Sequence, residues 1–157
     1  DDHHELIPPI HPILKIVKVN NIVLCTGHLS IAEIYALVKE AQKIGVTIIV
    51  THPLTPTVGE PLSLKQQLEL VELGAYIEHC FSACLPFLGN LDPRSLVESI
   101  KTIGAEKTIL STDLGLSFAP MPPEGFYYML ASMLKLGVSQ DELDWMVKRN
   151  PAKLLDM

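Results

Sequence analysis

One rhythm constrains what this chain can fold into. Four short aliphatic runs recur along it, each followed by an amphipathic helical stretch. The runs occupy residues 21–28 (NIVLCTGH), 46–53 (VTIIVTHP), 75–81 (AYIEHCF) and 107–113 (KTILSTD). They are β-branched and aliphatic with little alternation along their cores. Strands covered on both faces read this way, and a parallel sheet is where such strands are found. Their starts recur at about one βα unit, roughly 25–30 residues. Parallel neighbours need a crossover between them, so four parallel strands with connecting helices follow.

The intervening segments carry helix start and stop signals. Ser30 and Glu33 form a capping box ahead of IAEIYALVKEAQKIG, and Ser63 with Gln66 does the same ahead of LKQQLELVELG. Asp92 followed by Pro93 is an N-cap with proline in the first turn, and Ser139 with Glu142 repeats the box near the end. In each case a side-chain oxygen satisfies backbone N–H groups that a helix start leaves unpaired. Gly45, Gly74 and Gly104 stand just before the next strand, where a left-handed residue closes a helix, and Gly137 does so before the last helix. An opening helix is expected in IHPILKIVKV, with Pro8, Pro9 and Pro12 holding its start.

A chain of 157 residues suffices for one domain with a real core. The expected layout is an N-terminal segment and opening helix over 1–20, four βα units over 21–137 and closing helices over 138–157. A net charge of −6 leaves no basic footprint for nucleic acid or an anionic membrane surface. No apolar run approaches the roughly 18–20 residues of a membrane span. The start, DDHHELIPP, lacks the basic region of a signal peptide and an initiator Met, so a processed chain or a fragment is expected. Cys25, Cys80 and Cys84 cannot all pair within one chain. They read as buried thiols of a cytoplasmic protein.

The chemistry gathers at the strand ends. Each run delivers ionisable groups at or near its C-terminal end: His28, His52, Glu78 with His79, and Asp113. Parallel strands put those ends on one rim, so groups far apart in sequence converge. Two imidazoles and a carboxylate suit a divalent transition metal, zinc above all. Glu78 and His79 are adjacent, so a strand points them to opposite faces and at most one looks into the site. The loops leaving residues 52 and 113 are long and proline-rich, as loops that carry function on α/β folds often are. His3, His4 and His11 read as solvated. Trp145 and the Tyr127–Tyr128 pair read as packing residues.

At these residues the chain resembles the second half of a metal-dependent hydrolase of the amidohydrolase superfamily, in an uncharacterised or phosphotriesterase-like branch. The resemblance runs from about Ile22 to the C-terminus. The motif CTGH puts His28 in the role of the strand-five histidine of that (β/α)8 barrel, and VTHP puts His52 in the strand-six role. STDLG puts Asp113 in the strand-eight role, and YIEHCF falls on strand seven, where Glu78 or His79 would touch substrate. The ending, with its Asn-Pro-Ala-x-x-Leu segment, looks like the same family. The family's His-x-His motif and strand-four Lys or Glu have no counterpart here. Four strands are half of the barrel.

The resemblance implies a TIM-barrel-like half barrel and one or two divalent metals, most often zinc, in the complete barrel. His28, His52 and Asp113 would be metal ligands, with Asp113 also the general base. Activated water would attack a small-molecule amide, ester, lactone or phosphoester. A metal-dependent decarboxylase or lyase on the same barrel is an alternative, as is a non-catalytic half-barrel module. The missing strands imply a partner, either the N-terminal half of the barrel or a second copy in a homo-oligomer.

Overall fold

The computed structural model describes residues 6–157. Helix α1 (Ile10–Val19) precedes four βα units. These are β1 (Leu24–Cys25) with α2 (Ile31–Ile44), β2 (Ile48–Thr51) with α3 (Leu64–Glu72), β3 (Tyr76–Cys80) with α4 (Pro93–Ile103), and β4 (Thr108–Ser111) with α5 (Pro122–Lys135). A 3₁₀ turn, Phe81–Cys84, follows β3, and another, Ala105–Lys107, leads into β4. The chain closes through α6 (Gln140–Asp144), a π-helical turn (Trp145–Arg149) and α7 (Asn150–Leu154). The closing helix is thus broken by a wide turn, which the sequence pattern does not announce.

All three strand pairings are parallel and the spatial order is the chain order, β1-β2-β3-β4. The capping residues explain where the helices begin. Ser30, Ser63 and Ser139 each accept from the backbone N–H three residues on, and Glu33, Gln66 and Glu142 reach back to the capping residue. The Asp92 carboxylate accepts from Arg94 N at 2.9 Å. Each such cap contributes about 1 kcal/mol. Gly45 closes α2 in the left-handed conformation, with φ 72° and ψ 37°. Gly104 departs from the expected stop: its φ is 90° but its ψ, 144°, is extended, because the chain turns directly into the 3₁₀ turn before β4.

The helices cover one face of the sheet. Ile48, Val50 and Ile77 point into it and pack with Leu14, Leu37, Val38 and Leu70. Leu110 packs beside them with Leu96, Ile100, Met129 and Met133. Alternation puts Cys25, Ile49, Thr51, Tyr76, Glu78, Cys80, Ile109 and Ser111 on the opposite face, where Tyr76, Cys80 and Ile109 are buried and the other five are not. The aliphatic runs predicted cover on both faces; this second, open face is covered only in part, at Tyr76, Cys80 and Ile109. Cys25 corrects the expectation of buried thiols, since it is exposed on the edge strand β1, while Cys80 is buried and Cys84 half-buried. Tyr127 and Tyr128 also depart from a packing role: they stand 70% and 58% exposed on α5. Trp145 is half-buried, with the Arg149 guanidinium 4.9 Å from its ring centre. His11 is exposed beside Glu40. His3 and His4 lie outside the described residues.

Candidate functional site

Parallel strands carry His28, His52 and Asp113 to one rim. His28 follows β1 through Thr26 and Gly27, whose φ of 59° turns the chain off the strand. His52 directly follows β2, and Asp113 follows β4 by one residue. Both sit at positive φ, 37° and 49°. Side chains with a Cβ rarely adopt that region, which costs on the order of 1–2 kcal/mol, and such strain clusters at functional positions.

The two histidines meet. Their ring centres are 4.8 Å apart with planes tilted by 54°. His28 is exposed and His52 is buried, 7% accessible. Together with Gly27, Thr51, Thr55 and Glu60 they line a shallow crevice between the loops that leave β1 and β2. Asp113 is exposed, and its Oδ2 accepts from Ser82 Oγ at 2.9 Å. The Ser82 backbone N–H in turn donates to Thr112 O at 3.0 Å, so the turn after β3 braces the loop after β4. Ser82 was not anticipated from sequence. Its one signal is a hydroxyl in the otherwise apolar run that follows a strand end.

Glu78 and His79 part company. Glu78 pairs in register with Thr51 and Ile109 and lies on the open face. His79 lies on the helix-covered face, 1% accessible, with Nε2 2.8 Å from Ser99 Oγ of α4. This corrects its expected contact with substrate: an odd register step places the ring behind the sheet. Burial holds its pKa down at about 4. Cys80 is on the open face, with Sγ 3.2 Å from Ser111 Oγ. Burial first, and then the nearby Glu78 charge, push its thiol up to about 12, so it is a neutral thiol at physiological pH.

Among the described residues, no three His, Cys, Asp or Glu side chains are grouped so as to hold a metal ion. The imidazole pair has the right chemistry for a borderline divalent cation, but a catalytic zinc takes three protein ligands. Asp113 is engaged with Ser82 instead of joining the pair. The donor set of this chain therefore does not make a complete metal centre by itself.

Comparison with known proteins points the same way as the topology. A family model described as "Family of unknown function (DUF6282)" matches residues 1–78. No curated protein matches the chain by sequence. Solved structures match it along nearly its whole length. An amidohydrolase from Burkholderia multivorans with bound zinc is 11% identical with a TM-score of 0.63, over 92% of this chain and 56% of that one. Amidohydrolase 2 from Bifidobacterium longum subsp. infantis is 15% identical with a TM-score of 0.61, over 92% and 53%. A 2,6-dihydroxybenzoate decarboxylase complexed with 2,6-dihydroxybenzoate is 12% identical with a TM-score of 0.61, over 96% and 56%. The chain thus spans about half the length of the solved structures it matches. At these identities the likeness is one of fold: four parallel βα units that share the fold of about half of each of these structures.

Proposed function

We propose that this chain is the part of a metal-dependent amidohydrolase-type enzyme that carries the histidine pair of the site. The reaction we assign is hydrolysis of a small-molecule amide, ester, lactone or phosphoester. The observation that carries this reading is the meeting of His28 and His52 at adjacent strand ends on a fold shared with such enzymes. Zinc is the metal we propose, on the chemistry of two imidazoles and on the bound zinc of one similar structure. A divalent metal held there would polarise a carbonyl or phosphoryl oxygen and acidify water.

The chain's own residues have distinct parts in this reading. His28 and His52 hold the cation from one side of the rim. Asp113, held by Ser82, presents a carboxylate that accepts a proton from water or joins the ligands once the site is complete. Glu78, rather than His79, faces the ligand from the open sheet face. The similar decarboxylase supports a second reading, in which the same rim releases carbon dioxide from an aromatic acid.

The remaining donors come from a complementary set of βα units in the same polypeptide or in a second copy. Three features support that. β1 and β4 are the edges of the sheet. α1 exposes Ile13, Ile16 and Val19 at one end of the array, and α5 exposes Tyr127, Tyr128 and Leu134 at the other. Exposed apolar stripes next to unpaired strand edges are surfaces that further units cover. Three free cysteines agree with a reducing cytoplasm. Among the described residues no helix is long and apolar enough to cross a membrane.

Metal analysis of the longest native polypeptide containing this chain tests the proposal, with assays on ester, lactone, phosphoester and aromatic-acid panels. Bound zinc, with activity lost in His28→Ala and His52→Ala, supports it. A metal-free protein whose activity survives both substitutions refutes it, and carbon dioxide release without hydrolysis selects the second reading.

A further inference from the structure

A chain of buried hydrogen bonds runs behind the sheet and ends on the loop that begins with His52. His79 of β3, Ser99 of α4, Gln67 of α3 and Leu62 of the loop are all at most 2% accessible. His79 Nε2 lies 2.8 Å from Ser99 Oγ. Ser99 Oγ donates to Gln67 Oε1 at 2.6 Å. Gln67 Nε2 donates to Leu62 O at 3.0 Å, and Leu62 N donates to Pro53 O at 2.8 Å. Pro53 is the residue after His52.

The proton inventory gives this chain one direction. The Gln67 amide must turn its NH₂ toward the Leu62 carbonyl, because a carbonyl cannot donate. Its oxygen then faces Ser99, so the single Ser99 proton is spent there. Ser99 Oγ is left only to accept, so His79 donates from Nε2 and carries its lone pair on Nδ1. The Nδ1 atom is buried without a partner among the described residues. No member can reverse its role without setting two buried donors or two buried acceptors face to face, which costs about 1–3 kcal/mol.

The loop over residues 52–63 has no regular secondary structure. Its backbone bonds Thr55 N to His52 O and Val58 N to Thr55 O are local. His52 is anchored on one side by β2 and runs on the other into this loop, and it holds a left-handed φ of 37° against the His28 ring. The two ties at Leu62, one to Pro53 and one to Gln67, fasten the far end of the loop to its start and to the core.

We infer that Gln67, Ser99 and His79 are positioning residues for His52: the relay fixes the loop, and the loop fixes the imidazole opposite His28. The inference uses the reading of His52 as a site residue, but it concerns geometry that exists without metal or substrate. Removing a link leaves the fold and frees the ring.

The test is imidazole NMR of His52 in the metal-free protein, with amide hydrogen exchange and melting temperature recorded alongside. Ser99→Ala and Gln67→Met each cut the relay, and Ile100→Val serves as a control that weakens the same helix without touching it. The expected result is displaced or broadened His52 ring signals and at least about tenfold faster exchange at Leu62 N–H in both relay variants, with neither change in Ile100→Val at a comparable loss of melting temperature. Unmoved His52 signals in a folded Ser99→Ala or Gln67→Met protein, or the same displacement in Ile100→Val, overturn it. Because no metal or activity is read, failure of the enzymatic proposal and failure of this one are separate results.

Discussion

His79 lies 2.8 Å from Ser99 at the back of the sheet, while its chain neighbour Glu78 looks out from the open face in front. One peptide step therefore separates a core group from a group on the open face. The consequences for stability and for chemistry are measured on different residues.

The buried His79 sets an acid limit on stability. Its folded pKa is held at about 4 by burial, below the ordinary 6.5 of the unfolded chain. Between those values the unfolded state binds the extra proton. The contribution is therefore fully present above pH 6.5 and is lost as pH falls toward about 4. A shift of that size is worth roughly 3 kcal/mol as an upper bound. Urea unfolding at pH 7 and pH 4.5 should show the loss, and a folded His79→Gln protein should show a flatter pH dependence between the two. An equally steep dependence in that variant would assign the acid sensitivity elsewhere.

The three thiols should separate by reactivity. Cys25 is exposed at the sheet edge, whereas Cys80 is buried with its thiol pushed up to about 12 and Cys84 is half-buried with its own at about 11, both chiefly by desolvation. Cys25 is raised as well, by burial and then by Glu78, so its alkylation is slow for an exposed thiol. Under native conditions iodoacetamide should label Cys25 at least about tenfold faster than Cys80, as peptide mass spectrometry would resolve. Equal labelling would contradict the edge position of β1.

Ser82 holds the Asp113 carboxylate across 2.9 Å from a neighbouring loop. Ser82→Ala removes that donor and leaves the fold, costing about 1 kcal/mol of stability. In the proposed enzyme it should lower kcat more than it raises KM, because the carboxylate acts on water rather than on ligand binding. A change confined to KM would instead place Asp113 on the substrate.

Much of the fold was legible because its signals are local. Ser30, Ser63, Asp92 and Ser139 cap helices by bonding backbone within three residues, so the sequence alone locates those starts. The strand runs were legible by composition, and the rim positions of His28, His52 and Asp113 follow from parallel order. What was not legible depends on register and cover. Alternation parts Glu78 from His79, but only the docking of α4, through Ser99, decides which one is behind. Cys25 sits in an aliphatic run that looks like a central strand, yet β1 is the edge of this sheet. Tyr127 and Tyr128 occupy a helix face that would be packed only if a neighbour stood against it. The Ser82–Asp113 bond joins two loops whose meeting is set by tertiary structure.

The proposed site requires His28 and His52, whose rings meet at 4.8 Å, to act as one binding unit. Zinc titration of the longest native polypeptide containing this chain, followed by the imidazole signals of both residues, tests it most directly. The predicted result is that both rings respond together, and that either His28→Ala or His52→Ala weakens zinc binding by at least about tenfold and silences the response of the remaining ring. Zinc bound at unchanged affinity in the two variants, or a response of one ring that ignores loss of the other, would contradict it.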